Sequence, residues 1–165
     1  MDKQKKKMDV TLVVVLGGDK ILLGERKRKD GFGDGLYNTF GGRLEEGETV
    51  EEGALRELTE ESGLVATEHE KIGLVVFDVL YKGEPTLMTM HIYKVTKFDG
   101  EPVETDEARP VWFDLDKIPY DKMFPDAAYW LPLVLDGKKI VAAFKLDDES
   151  LGVLEHNIEI VKNLP

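Results

Sequence analysis

Apolar and polar residues alternate along the chain in short blocks, and this pattern predicts strands over much of its length. Runs rich in Val, Ile, Leu and aromatic residues are bounded by glycine-containing or polar turns, as is typical of strands. The predicted strands are residues 10–16, 21–23, 72–81, 87–95, 111–113, 140–146 and 153–161. The turn at residues 17–19 predicts that the first two strands form a hairpin.

Capping residues predict helices in two further segments. The first runs from Thr49, a favourable N-cap residue, to Gly63, a residue type that commonly ends helices. The second covers residues 126–135, with Asp126 as its N-cap after a proline. Residues 115–118 predict a single helical turn. Several strands with two helices indicate an α/β domain in which the helices cover a mixed sheet.

Three glutamates of the first helix share one face. Glu57, Glu60 and Glu61 follow the spacing i, i+3 and i+4, so their carboxylates lie within about 100° of one another. Like charges at this spacing repel, and carboxylate oxygens are ligands that suit Mg²⁺ or Mn²⁺. The pattern predicts either a divalent metal site, of the kind that accompanies phosphate-bearing substrates, or an acidic helix face exposed to solvent.

Composition and charge narrow the classes of function. The chain has 165 residues, which fits one domain over residues 1–165, and we expect residues 1–8, with their run of lysines, to form a disordered tail. The net charge of −11 argues against nucleic-acid polymers and anionic membranes as partners. No cysteine is present, and no apolar run reaches the roughly 20 residues of a membrane span. A cytoplasmic location is the default expectation.

A longer motif surrounds the glutamate face. It consists of Gly42, Glu48, Arg56, Glu57, Leu58, Glu60, Glu61, Gly63 and Leu64. The spacing of these residues resembles the Nudix box at each defined position. The resemblance implies a Nudix hydrolase whose fold is an α/β/α sandwich built on a mixed, curved sheet.

The resemblance also implies which groups bind the metal ion. Glu57 and Glu61 correspond to the principal ligands, and Glu60 lies near them. The main-chain carbonyl of Gly41 corresponds to a further ligand. An acidic residue from a later loop often completes the site in this family, and Glu107 is the candidate in this chain. The alternative is that Glu107 belongs to an exposed acidic loop.

The same resemblance assigns catalytic roles. Glu48 and Arg56 would form an ion pair that fixes the preceding loop against the helix, unless each is an ordinary surface charge. Glu61 is the expected acceptor of the proton from the attacking water, with Glu57 as the second candidate. Mg²⁺ is the expected cofactor, and Mn²⁺ is the alternative.

Segments outside the box extend the resemblance to the oxidised purine nucleoside triphosphatases, one group within the Nudix family. In that comparison Asn38 and Asp126 correspond to the residues that read the edge of the base. The other pocket residues are the apolar walls Phe32, Phe77, Met88 and Phe124, and the lining residues Thr11 and Arg26. The alternative for Phe77 and Met88 is packing in the hydrophobic core.

Two positions depart from that group. Ala127 stands where a second aspartate is usual, and Phe124 replaces a larger tryptophan. The resemblance implies a monomer that cleaves nucleoside triphosphates with Mg²⁺, preferring oxidised purines such as 8-oxo-dGTP, and yields the monophosphate and pyrophosphate. Such a reaction would remove damaged precursors from the nucleotide pool. The alternatives are a broader nucleotide or dinucleoside polyphosphate hydrolase, and a catalytically silent nucleotide-binding module.

Overall fold

The computed structural model describes residues 4–27 and 33–165. Its elements, in chain order, are β1 (Lys6–Gly17), β2 (Lys20–Arg26), β3 (Tyr37–Asn38), α1 (Val50–Ser62), β4 (Val65–Tyr81), β5 (Glu84–Asp99), β6 (Ala108–Asp114), a 3-10 helix (Tyr120–Lys122), α2 (Ala127–Leu135), β7 (Lys139–Leu146) and β8 (Val153–Val161). None of the helices in these two ranges has the length and apolar character needed to cross a membrane.

The strands form one mixed sheet. Their order across the sheet is β3-β2-β1-β5-β4-β7-β8, and β6 pairs with β2 outside this path. The pairs β1–β5 and β4–β7 are parallel, and the other pairs are antiparallel. The predicted hairpin is confirmed, because β1 and β2 pair directly, with Val15 opposite Leu22.

The two helices cover opposite faces of the sheet. Val13 of β1 lies in one buried cluster with Leu58 of α1, whereas Val14 lies in a second cluster with Leu131 of α2. Successive strand side chains point to opposite faces, so each helix packs on its own face. The α/β/α arrangement implied by the resemblance is therefore confirmed.

These two clusters form the core. The α1-side cluster consists of Val13, Val15, Leu22, Phe40, Ala54, Leu58, Leu64, Tyr93, Val95 and Ala108. The α2-side cluster consists of Leu12, Val14, Ile21, Leu23, Ile72, Val75, Phe77, Ile92, Met123, Ala127, Trp130, Leu131, Val134, Ile140, Ala142 and Phe144. Burial of apolar side chains on both faces is what holds the helices in place.

β4 and β5 extend beyond the predicted strands. β4 begins at Val65, before the predicted start at residue 72, and β5 ends at Asp99, after the predicted end at residue 95. Most side chains of residues 65–71 are exposed, so this stretch carries no apolar alternation that could indicate a strand. Backbone pairing between β4 and β5, with Val65 opposite Asp99, forms the extension.

The structure corrects two predictions. β1 begins at Lys6 and pairs with β5 from that residue, so residues 6–8 are strand and not part of a disordered tail. The exposed lysines give no apolar alternation that could indicate a strand, but their backbone pairs with that of β5. The helical turn predicted at residues 115–118 is wrong, because the 3-10 helix lies at Tyr120–Lys122, directly after Pro119 at its N-cap.

The caps of α1 are as predicted. Thr49 Oγ1 accepts a hydrogen bond of 3.1 Å from the Glu52 backbone N–H. Gly63 adopts a left-handed conformation with φ of 79°, and its N–H donates to the Thr59 carbonyl at 2.8 Å. Local capping chemistry thus fixes both ends of the helix that carries the glutamates.

Candidate active site

Three carboxylates converge beside α1. Glu57 and Glu61 lie one turn apart on the helix, and Glu107 comes from the segment before β6. One oxygen of each carboxylate lies within 4.8 Å of one oxygen of each of the others. Glu57 and Glu61 are half-buried and Glu107 is exposed. We call these three residues the carboxylate group.

Two glycines allow the backbone to pass close to this group. The Gly41 N–H donates to Glu61 Oε1 at 2.8 Å, and a Cβ on Gly42 would lie 2.7 Å from the Glu57 carboxylate. Gly41 has a φ of 152°, and a Cβ there would lie 2.0 Å from the Thr11 carbonyl oxygen. Gly41 therefore requires glycine for steric reasons, whereas a side chain at Gly42 would displace the Glu57 carboxylate.

Two members of this group, Glu57 and Glu61, resist ionisation. The pKa of Glu61 is raised to about 8, chiefly by burial and then by the charges of Glu57 and Glu107, against the hydrogen bond from Gly41. Burial also raises the pKa of Glu57, although Arg56 opposes this shift. A divalent cation would relieve both the desolvation and the mutual repulsion, and carboxylate oxygens are its preferred ligands. The group fits a hard divalent cation.

Glu60 lies apart from the carboxylate group. Its Oε2 accepts a hydrogen bond of 3.0 Å from Arg56 Nη1, and half of its side chain is exposed. Its position on the helix face gave it the same expected role as its neighbours. Arg56 Nη1 contacts both Glu57 and Glu60, but only Glu57 lies with Glu61 and Glu107 in the carboxylate group.

Glu48 and Arg56 form the predicted ion pair. Arg56 Nε donates to Glu48 Oε2 at 2.6 Å, and Arg56 Nη2 donates to Glu48 Oε1 at 2.9 Å. This paired geometry holds the pKa of Glu48 down, to about 2. Arg56 also donates to the Arg43 carbonyl at 3.2 Å and to Glu57 Oε1 at 3.1 Å. The pair thus links the loop before α1 to the carboxylate group.

Asp126, the acidic residue among the candidates for base recognition, is deeply buried. It is 7% exposed, and Trp130 Nε1 donates to its Oδ2 at 2.8 Å. Asp126 stands at the predicted N-cap of α2, but its side chain makes no capping hydrogen bond. Burial raises the pKa of this carboxyl. The sequence analysis did not predict this contact with Trp130, although the i+4 spacing of Asp126 and Trp130 on a helix was available as a signal.

Phe77 and Met88 lie on the face of the sheet that α2 covers, the helix that Asp126 precedes. Phe77 lies opposite Met88 in the β4–β5 register and stacks on Phe144, with ring centroids 5.5 Å apart. Phe77 belongs to the α2-side cluster, which also contains Ala127, and Met88 packs against that cluster. The two side chains therefore contribute to the core, whether or not they also form walls of a pocket.

The other residues predicted to line the base pocket make separate local contacts. Asn38 Oδ1 accepts a hydrogen bond of 2.9 Å from the Thr39 backbone N–H. Thr11 is buried, and its hydroxyl donates to the Gly42 carbonyl at 3.3 Å. The Arg26 guanidinium lies 5.3 Å from the centre of the Phe124 ring.

Phe32, the last of the predicted pocket walls, falls outside the described residues.

Comparison with known proteins agrees with this geometry. The profile of the NUDIX domain matches residues 6–134. A Danio rerio protein named oxidized purine nucleoside triphosphate hydrolase is 44% identical over 155 residues, which cover 94% of this chain and 96% of the relative. A Mus musculus protein of the same name is 48% identical over 139 residues, which cover 84% of this chain and 86% of the relative.

A solved structure shares the fold. The crystal structure of a MutT protein from Bacillus halodurans superposes with a TM-score of 0.79 at 22% sequence identity. The match covers 92% of this chain and 97% of that protein.

Proposed function

The chain belongs to the Nudix hydrolase family, and we propose that it hydrolyses oxidised purine nucleoside triphosphates, such as 8-oxo-dGTP, to the nucleoside monophosphate and pyrophosphate. The observation that carries this proposal is the carboxylate group, Glu57, Glu61 and Glu107, held beside Gly41 and Gly42. Two relatives that match most of the chain carry the name oxidized purine nucleoside triphosphate hydrolase, which supports the substrate class.

Mg²⁺ is the proposed cofactor, with Mn²⁺ as the alternative. When bound, the ion would offset the negative charge of the polyphosphate and favour the ionisation of water. Glu57, Glu61 and Glu107 would hold it, and the Gly41 carbonyl and Glu60 remain proposed ligands. Hard oxygen ligands of this kind are those that Mg²⁺ prefers in proteins.

The other proposed roles follow from charge and contact. Glu61 would accept the proton from water, with Glu57 as the second candidate. Glu48 and Arg56 would keep the loop and helix in register, as their paired hydrogen bonds suggest. The ion pair would thus fix the positions of the catalytic side chains before the triphosphate binds.

The base would lie among the pocket residues that the resemblance assigns. Asn38 and Asp126 are the proposed readers of its polar edge. The proposed walls and lining residues are Thr11, Arg26, Phe32, Phe77, Met88 and Phe124. Aromatic side chains offer stacking, while an amide and a carboxyl distinguish donors from acceptors on the purine. Oxidation at C8 turns N7 from an acceptor into a donor, so placed hydrogen bonds can detect it.

Product analysis tests the proposed reaction. Hydrolysis of 8-oxo-dGTP in ¹⁸O-water should release the monophosphate and pyrophosphate, with the label in a phosphate other than the γ-phosphate. A base pocket that holds the nucleoside end against the carboxylate group would favour this position of attack. Mass spectrometry of the products locates the label, and a reaction with chelator in place of Mg²⁺ is the control. Orthophosphate and a nucleoside diphosphate as main products would contradict the proposal.

Ala127 favours a second candidate, a broader nucleotide hydrolase with weak preference for oxidised bases. It is buried (4% exposed) directly beside Asp126, so a single carboxyl is available at that point of the proposed pocket. One carboxyl forms fewer hydrogen bonds to the purine edge than two neighbouring carboxyls would.

Variants at these two residues separate the candidates. Asp126→Ala should lower the ratio of kcat/KM for 8-oxo-dGTP over dGTP by roughly threefold to tenfold, because one hydrogen bond contributes about 0.5–1.5 kcal/mol. Ala127→Asp should raise the same ratio. Steady-state kinetics with both substrates measure it, thermal melting confirms folding, and Asp148→Ala in the β7–β8 loop is the control. If both variants change the ratio by less than about twofold, Asp126 does not read the base.

A further inference from the structure

The carboxylate group is assembled from two separate parts of the chain. Glu57 and Glu61 lie on α1, whereas Glu107 comes from the segment that connects β5 to β6. One oxygen of each carboxylate lies within 4.8 Å of one oxygen of each of the others, and ionised carboxylates at this distance repel one another. Some contact must hold the Glu107 segment beside the helix against this repulsion.

The Thr105 hydroxyl forms such a contact. It donates to the Glu61 backbone carbonyl at 3.1 Å, and it accepts from the backbone N–H groups of Glu107 and Ala108, each at 3.3 Å. A hydroxyl has one donor and two acceptor sites, so Thr105 uses its full capacity. The Glu61 carbonyl is among the last carbonyls of α1, which have no partner within the helix. One side chain thus joins the backbones of two residues of the carboxylate group.

Lys27 supports the same segment from the other side. Its backbone N–H donates to the Glu107 carbonyl, and its Nζ donates to the Thr105 carbonyl, each at 3.0 Å. Its Nζ also lies 2.9 Å from Glu104 Oε1. These contacts fix the segment to the end of β2, and the Thr105 hydroxyl connects it to α1.

We propose that Thr105 is a positioning residue of the cation site, whose hydroxyl sets the location of the Glu107 carboxylate relative to Glu57 and Glu61. This inference rests on the proposed function, because it assumes that the carboxylate group binds a divalent cation. Thr105 itself is not among the proposed ligands of the cation. It acts on the backbone that carries a ligand.

Mn²⁺ binding to the full chain without nucleotide tests the proposal. Thr105→Val removes the hydroxyl and keeps the branched shape, and it should raise the Kd for Mn²⁺ roughly tenfold, since supporting hydrogen bonds around metal ligands are typically worth 10–100-fold in affinity. Thr105→Ser keeps the hydroxyl and should bind within about twofold of the wild type. Electron paramagnetic resonance of free Mn²⁺ gives the Kd directly, and Thr105→Ala is the reserve variant if Thr105→Val does not fold.

Thr59→Val is the matched control. The Thr59 hydroxyl donates to the Leu64 carbonyl at 2.8 Å, with the Leu55 carbonyl at 3.2 Å as the alternative acceptor, so this variant also removes a hydroxyl from the last turn of α1. Within the described part of the chain Thr59 forms no hydrogen bond with the Glu107 segment, so the Mn²⁺ affinity of Thr59→Val should match that of the wild type. An equal loss of affinity in Thr59→Val and Thr105→Val would reduce Thr105 to a general stabilising role and overturn the proposal.

A double-mutant cycle with Glu107→Gln identifies the route of the effect. If Thr105 acts through Glu107, the double variant should bind Mn²⁺ no more weakly than Glu107→Gln alone. Additive losses would refute the proposal while leaving the cation site intact. If Glu107→Gln binds Mn²⁺ as the wild type does, Glu107 is not a ligand, and this part of the proposed function fails together with the inference.

Discussion

Glu57→Gln and Glu61→Gln are each expected to lower kcat by at least about two orders of magnitude, with activity strictly dependent on a divalent cation. Each substitution removes one negative charge from the carboxylate group and keeps the size of the side chain. Loss of the electrostatic contribution of a metal site commonly has effects of this size. The fold should survive, because Leu58 and Ala54, not the glutamates, pack in the α1-side cluster.

Steady-state kinetics over a range of Mg²⁺ concentrations measure the effect. Glu52→Gln, in the exposed first turn of the same helix, is the matched control and should retain full activity. Glu60→Gln should lower kcat less than either active-site variant, because Glu60 lies outside the carboxylate group. Near wild-type turnover in both Glu57→Gln and Glu61→Gln would place the catalytic centre elsewhere.

The second large effect concerns stability. Without divalent cations, the free energy of unfolding should fall as the pH rises from about 5 to about 8. The pKa of Glu61 is raised from 4.5, its ordinary value in an unfolded chain, to about 8 in the folded protein. Between these two pH values the folded protein therefore holds a proton on Glu61 that the unfolded chain has lost. Stability then decreases with rising pH, and the difference in pKa corresponds to a few kcal/mol, on the order of 1.4 kcal/mol per unit.

Thermal melting with chelator at pH 5 to 9 measures this dependence. Glu61→Gln resembles the protonated carboxyl, so its Tm should fall less steeply than that of the wild type. Glu57 and Asp126 also have raised pKa values, so the variant should reduce the slope without removing it. Mg²⁺ should restore Tm at high pH only in the wild type. Parallel profiles for wild type and Glu61→Gln would contradict the raised pKa.

Local chemistry explains why α1 was predictable. Thr49 and Gly63 supply the caps within the sequence of the helix itself, and both act as predicted. The pairing of Glu48 with Arg56, eight positions apart, was implied by the resemblance to the Nudix box, and the structure contains it. In each case the partners are close in sequence, so few conformations compete.

Tertiary contacts determine which glutamates converge and which residue holds the Glu107 segment, and the sequence pattern indicated neither. The spacing of Glu57, Glu60 and Glu61 treats the three alike, yet in the folded chain only Glu57 and Glu61 converge with Glu107. Thr105 is a single polar residue without periodicity, so no pattern indicates its three hydrogen bonds. It lies 44 residues from Glu61, its partner on α1. Partners this distant become visible only when the sheet has brought them together.

The hydrogen bond between Trp130 and Asp126 also provides an optical probe. The chain contains two tryptophans, and Trp112 lies at the α1-side cluster, stacked on Phe98. In Trp112→Phe the remaining indole is the one whose N–H contacts the buried carboxyl. Its emission spectrum responds to the charge of its hydrogen-bond partner. Fluorescence of this unlabelled variant would therefore follow events at the proposed base pocket separately from those at the carboxylate group.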